Sequence, residues 1–153
     1  MTSLRAGISG CSPASLELVQ RARLHEDCEV VAVHDDDEAK ARAFAAEARL
    51  GFATADFAAL LGSGIDFVVL TGPHPTRQAR IEAAAAQSAH VLVASPLAPD
   101  LATARAIVRT CEAAEVRLGV MVPEFADPIF EQLRRMISHD WLGGVVAVQG
   151  ILG

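Results

Sequence analysis

Short, unbroken aliphatic runs alternate along this chain with segments whose apolar residues recur every three to four positions. The runs cover 4–9, 28–34, 65–71, 90–94 and 116–122. Val, Ile and Leu without polar alternation suit strands covered on both faces, as in a parallel sheet. The intervening segments carry helical stripes: Ser15, Leu18, Val19 and Ala22; Ala41, Phe44, Ala45 and Ala48; Ala104, Ile107, Val108 and Cys111; Ile129, Leu133, Met136 and Ile137. Alanines 83–86 favour a further helix and allow close packing on a sheet. Strand–helix alternation of this kind predicts an α/β fold, a doubly wound, mostly parallel sheet in a single domain over 1–153. Residues 51–53 are placed as a short strand by their position between helices. Residues 145–152 read as one more strand, with an apolar edge at Val145-Val146-Ala147-Val148.

A chain of 153 residues that is 52% hydrophobic can bury one sizeable core. With 5% aromatic residues and no Tyr, that core must be aliphatic and alanine-rich. Thirteen Lys and Arg against nineteen Asp and Glu leave a net charge of −6, which argues against nucleic acid or an anionic membrane as partner. No apolar run approaches the roughly 20 residues of a membrane span. The opening residues lack the hydrophobic stretch of a signal peptide, so a cytoplasmic location is expected. The scattered Cys11, Cys28 and Cys111 suit a reducing compartment. They have no metal spacing, and His25-Glu26-Asp27-Cys28 reads as a polar loop.

The first strand runs into Gly10-Cys11-Ser12-Pro13-Ala14-Ser15. In a dinucleotide-binding turn, one glycine makes the sharp bend, a second lets the backbone approach a pyrophosphate, and a third lets helix and strand pack closely. Only Gly10 is kept here. Ser12 reads as a helix N-cap with Pro13 at the first helical position, and the small Ser15 preserves the packing. A capped helix start still offers N–H groups to an anion, so this segment alone suits an ordinary turn and a phosphate site equally. Asp35 ends the second strand, twenty-five residues after Gly10, where an acidic residue can bond ribose hydroxyls. Asp36 and Asp37 read as acid favoured at a helix start, and three carboxylates together would repel the extra phosphate of NADP.

The ordered series of motifs resembles the Gfo/Idh/MocA oxidoreductases over essentially the whole chain. Gly7-Ile8-Ser9-Gly10-Cys11 is similar to the family's opening strand and turn, and Val30-Val31-Ala32-Val33-His34-Asp35 to its second strand. Residues from Asp66 to His74 resemble a fourth strand ending in Ala-Thr-Pro-Asn. His90-Val91-Leu92-Val93-Ala94-Ser95-Pro96-Leu97 matches the segment in which the family carries Glu-Lys-Pro, and Phe125 and Pro128 sit where an Arg-Phe-x-x-Pro stretch is expected. The resemblance implies a Rossmann-like fold and NAD(P)-dependent hydride transfer, commonly on sugars or polyols. It places a dinucleotide, NAD by the acidic strand end, against Gly10, Cys11, Ser12, Asp35, Gly72, Pro73, His74 and Ser95.

The chain departs from the family where the chemistry should be. The family's catalytic Lys is Ser95, the Glu before it is Ala94, and the later Arg is Glu124. A hydroxyl has too high a pKa to replace an ammonium in proton transfer. The family's substrate domain, with its Asp and His partners, begins about where this chain stops, so it is expected to be absent. These departures predict a dinucleotide-binding protein with no catalytic or metal-binding residues of its own. The alternatives are an assembly subunit without nucleotide, pairing with itself or a partner through the 145–148 edge, and an oxidoreductase completed by a partner chain. His74, Ser95 and Glu124 follow neighbouring strands and contain the residue types of a nucleophile–base–orienter set, but no sharp elbow precedes Ser95. Arg77 reads as a surface arginine, His34, His90 and His139 as structural or solvated, Cys111 as core, and Cys11 as partly exposed.

Overall fold

Six parallel strands form one sheet in the order β3-β2-β1-β4-β5-β6. The structure is a computed structural model describing residues 3–72, 74–122, 128–147 and 149, with His74 described by its backbone alone. The strands are β1 (Leu4–Ser9), β2 (Cys28–His34), β3 (Phe52–Thr54), β4 (Phe67–Leu70), β5 (His90–Ala94) and β6 (Leu118–Met121). Between them run α1 (Pro13–Ala22), α2 (Glu38–Glu47), α3 (Phe57–Leu61), α4 (His74–Ala86) and α5 (Leu101–Ala113). These elements all belong to a compact unit, Met1–Met121. The residues Val122–Gly153 form a second unit, which holds α6 (Pro128–Ser138).

The pleat sends alternate residues to opposite faces, and the two faces carry separate cores. Val68, Leu70, Val91 and Val93 pack with Leu60 of α3, Ile81 of α4 and Ile107 of α5. Ile8, Val33 and Val69 face the other way, against Val19 of α1 and Ala41 and Phe44 of α2. Side-chain caps start the helices sharply. Ser12 accepts from the Ser15 N–H, Asp37 from the Ala39 and Lys40 N–H groups, Asp56 from Ala58 and Asp100 from Thr103.

The strand expected over 145–152 is not found in its described part: residues 145–147 and Gln149 join no strand, and the rest lies outside the described residues. Glycines 143 and 144 directly precede this stretch. Within the second unit, α6 has the expected apolar stripe, but none of its residues is buried. Ile129 is 73% exposed and Ile137 45%. Glu131 accepts from Arg135 at 3.1 Å and from Arg134 at 3.3 Å. No helix among the described residues is long and apolar enough to cross a membrane.

Candidate functional site

The strand order reverses direction at β1, whose neighbours are β2 on one side and β4 on the other. From β1 the chain winds outward to β2 and β3, then crosses back to β4. Crossovers leaving in opposite directions open a crevice beyond the carboxyl ends of β1 and β4. Gly10, Ser12, Asp35, Gly72 and Ser95 all follow the carboxyl ends of strands β1, β2, β4 and β5.

Gly10 makes the first bend with φ +111°, a conformation that L side chains rarely adopt. A Cβ there would also stand 2.6 Å from Thr71 Oγ1 and 2.7 Å from the Gly72 nitrogen. The Gly10 N–H donates to the His34 carbonyl at 2.8 Å, and the Thr71 N–H to the Ser9 carbonyl at 2.9 Å. Ser15 does more than its small size predicts. Fully buried, its hydroxyl donates to the Gly10 carbonyl at 2.7 Å and lies 2.9 Å from Thr71 Oγ1 and 2.9 Å from Ser12 Oγ. Three hydroxyls thereby join α1, the first turn and the end of β4. Ser12 caps α1 as its position predicts, accepting from the Ser15 N–H at 3.1 Å.

Asp35 is tied to this turn. Its Oδ2 accepts from the Cys11 N–H at 2.8 Å and meets Lys40 Nζ at 3.1 Å, and its Oδ1 accepts from the Asp37 N–H at 3.2 Å. Burial pushes its carboxyl upward, but the two N–H donors and Lys40 outweigh that and hold it below the usual range. Cys11, expected to be partly exposed, is buried. Its thiol is pushed up to about 11, first by burial and then by the Asp35 carboxylate, so it stays protonated and unreactive.

Asp37 behaves as an ordinary helix cap, whereas Asp36 does not. Asp36 Oδ1 receives Arg80 Nη2 of α4 at 2.6 Å, forty-four residues away. The Arg80 guanidinium carbon lies 5.6 Å from the Phe57 ring centroid, and Phe57 meets His34 edge-on at 5.4 Å. His34 is buried, with Nδ1 3.0 Å from Ser9 Oγ and Nε2 3.7 Å from Asp36 Oδ1. Burial and then the Arg80 charge lower its pKa, against the opposing pull of Asp36, the Ala55 backbone and Asp35.

Arg77 corrects the expectation of a surface residue: it is 6% exposed. Its guanidinium donates to the Gly72 carbonyl at 3.0 Å and to the Pro96 carbonyl, so it joins the loops after β4 and β5. Ser95 is exposed; its N–H donates to the Met121 carbonyl at 3.0 Å, and it precedes a cis peptide bond to Pro96. Pro73 and Glu124 lie outside the described residues, as does the side chain of His74. The structure therefore brings Gly10, Cys11, Ser12, Asp35 and Gly72 together at the carboxyl ends of β1, β2 and β4. Ser95 belongs to the loop held by Arg77. Among the described residues no group of three His, Cys, Asp or Glu side chains forms a metal site.

Sequence reasoning missed Lys40, Arg80, Phe57 and Thr71. Lys40 had a readable signal, one helical turn beyond the acidic strand end. Arg80 and Phe57 had none, since their meeting with Asp36 and His34 depends on how α3 and α4 cover the sheet.

Residues 4–122 match a family described as an oxidoreductase family with an NAD-binding Rossmann fold, Gfo/Idh/MocA. D-apiose dehydrogenase of Rhizobium rhizogenes is 31% identical over 124 residues, which cover 78% of this chain and 35% of that protein. An oxidoreductase from Agrobacterium radiobacter, solved with NAD+, L-tartaric acid and magnesium, superposes with a TM-score of 0.88 at 24% identity, covering 94% of this chain and 42% of its own. The scyllo-inositol dehydrogenase of Lactobacillus casei, solved with NAD(H) and scyllo-inositol, gives 0.84 at 15% identity, covering 93% and 43%. Both structures bear on the fold. The chain spans about a third of the length of the curated relative it matches.

Proposed function

The chain belongs to the Gfo/Idh/MocA oxidoreductase family through its NAD-binding Rossmann fold, and on that premise we propose that it binds an NAD-type dinucleotide without transferring hydride by itself. The observation that carries the binding reading is the bond from the Cys11 N–H to Asp35 Oδ2, 2.8 Å long, at the reversal of strand order. It fixes the turn that would receive a pyrophosphate beside the carboxylate that would receive a ribose. The residues fit the group. Gly10 leaves no Cβ in the bend, the α1 start offers its positive end to an anion, and Asp35 is held ionised. The Gly10–Ser12 turn would hold the pyrophosphate and Asp35 the adenosine ribose. Gly72 and Ser95, which follow the carboxyl ends of β4 and β5, would line the same site. When bound, such a coenzyme supplies a hydride acceptor or donor at its nicotinamide ring.

Ser95 supports the second half of the reading. Standing where the family has its catalytic lysine, its hydroxyl cannot serve as the proton donor or acceptor at neutral pH. Calorimetric titration with NAD, NADH, NADP and NADPH tests the binding. Saturable heat with NAD and NADH, weaker with the phosphorylated pair, is expected. No heat from any of the four at millimolar concentration would overturn it. A change in nicotinamide absorbance on mixing the chain with NAD and a set of polyols would overturn the claim of inactivity.

A second reading has its own observation. In the unit holding α6, Ile129, Phe130, Leu133, Ile137 and Trp141 are all exposed, and contiguous apolar surface of this kind marks interaction sites. It supports docking of a protein, either a second copy or a chain that completes an oxidoreductase. Light scattering of the purified chain across a concentration series tests self-association; a monomer at every concentration would leave only the heterologous partner.

A further inference from the structure

The charged residues of α6 are engaged with one another. Glu131 accepts from Arg134 at 3.3 Å and from Arg135 at 3.1 Å. At 3.6 residues per turn, Ile129, Phe130, Leu133 and Ile137 share another side of the helix, with no charged side chain among them. All four are exposed. Asp140, at φ +59°, ends the helix, and the Trp141 N–H reaches back to the Met136 carbonyl at 3.0 Å. That cap returns Trp141, 69% exposed, to the last turn. Together with Leu142 these side chains expose on the order of 600 Å² per copy, which reaches the roughly 600 Å² per partner at which stable interfaces begin. A groove runs along this face, lined by Phe130, Leu133 and Ile137, with Glu131 and Arg134 on its rim.

We propose that this face pairs two copies of the chain, α6 against α6 and antiparallel, about a two-fold axis between Leu133 and Arg134. The inference rests on the docking reading above and names its partner. The rim carries one charge of each sign on the same flank. An antiparallel two-fold brings like flanks together, so Glu131 of one copy lies within about one helical turn of Arg134 of the second copy, twice over. It sets Phe130 opposite Ile137 with Leu133 between them, and it opposes the two helix dipoles. A parallel pair would lay the charged flank against the uncharged flank of Gln132 and align both dipoles. A membrane surface suits this helix less well. It calls for a basic polar face, whereas α6 and its cap balance Arg134 and Arg135 against Glu131 and Asp140. A strongly charged partner gains little from a rim of one acid and one base.

Sedimentation equilibrium of the full chain from about 1 to 300 μM, a range suited to an interface of this size, tests this. A monomer–dimer equilibrium that closes at two copies is expected. Leu133→Asp and Ile137→Asp should each raise its dissociation constant by about a hundredfold or more, since the two-fold doubles every loss. Both side chains are exposed in the single chain, so the Tm measured below the dissociation constant should match the wild type. Glu131→Arg should weaken the dimer, and Glu131→Arg/Arg134→Glu should restore it. Orientation is read by disulfide formation in a Cys28→Ser background, Cys11 and Cys111 being buried. Phe130→Cys mixed with Ile137→Cys should cross-link faster than either variant alone; the reverse pattern means a parallel pair and overturns the inference. A monomer at every concentration overturns it as well and leaves the docking reading to a heterologous chain. A monomer that co-sediments with phosphatidylcholine vesicles overturns both. A dimer that survives the two aspartate substitutions uses another surface, which again defeats the inference, as does open-ended growth beyond two copies.

Discussion

At Gly10, backbone conformation and available space demand the same residue. The φ of +111° strains any side chain, and a Cβ would meet Thr71 Oγ1 and the Gly72 backbone below 3.0 Å. Gly10→Ala should therefore cost about 1–3 kcal/mol from the backbone term alone, read as a lower urea midpoint, and should weaken coenzyme binding further by displacing the loop after β4. An unchanged midpoint would mean the bend relaxes freely. His34 and Asp35 make stability depend on acid. The folded chain keeps His34 neutral with a lowered pKa, so its contribution is complete above the unfolded value of about 6.5 and is lost as pH falls below it. Asp35 is also lowered; its contribution is present above the unfolded value of about 3.9 and disappears as pH falls through the folded one. Both losses have the same sign. The Tm should fall in two stages on acidification, and His34→Gln should remove the upper stage. A Tm that rises between neutral pH and about 5, a range bracketing the unfolded histidine value, would contradict this.

Elements differ in how their apolar stripes are used. The stripes of α5 and α6 look alike in sequence, but Ile107 of α5 is 1% exposed against the sheet while Ile137 of α6 is 45% exposed. Ile107→Ala should destabilise by about 2–5 kcal/mol, because a cavity opens between helix and strands. Ile137→Ala should change the chain's own stability by less than about 0.5 kcal/mol. Chemical denaturation of the two variants side by side checks the contrast; equal costs would mean that the α6 stripe is covered in solution. The strands were the most legible elements. β1, β2 and β5 have the limits their aliphatic runs predict, whereas β4 and β6 lose residues at both ends where pairing stops. The helix α3 is only Phe57–Leu61, too short to establish a period, so the sequence implied it only as the helix that follows the 51–53 strand.

For the molecule as a whole, all the buried hydrophobic residues among those described lie between Ala6 and Val116. A chain ending after Val122 should accordingly keep cooperative thermal unfolding and the circular dichroism of an α/β protein. Loss of cooperativity on that truncation would show that the second unit is needed for folding. The sequence by itself determined the sheet: continuous aliphatic runs survive only where both faces are covered, and the intervening 3.6-residue stripes supply the cover. It also determined the glycine bend, the Ser12 cap and the acidic end of β2, because these are local and their chemistry is legible at fixed spacing. What only the tertiary structure decided is where the polar side chains go. Ser15 and Thr71 are fifty-six residues apart, Arg80 and Asp36 forty-four, and Arg77 and Pro96 nineteen. No periodicity encodes such meetings. They arise from strand order and from the way α3 and α4 cover the sheet, and that packing makes Asp36 a partner of Arg80 and buries Arg77 between two loops.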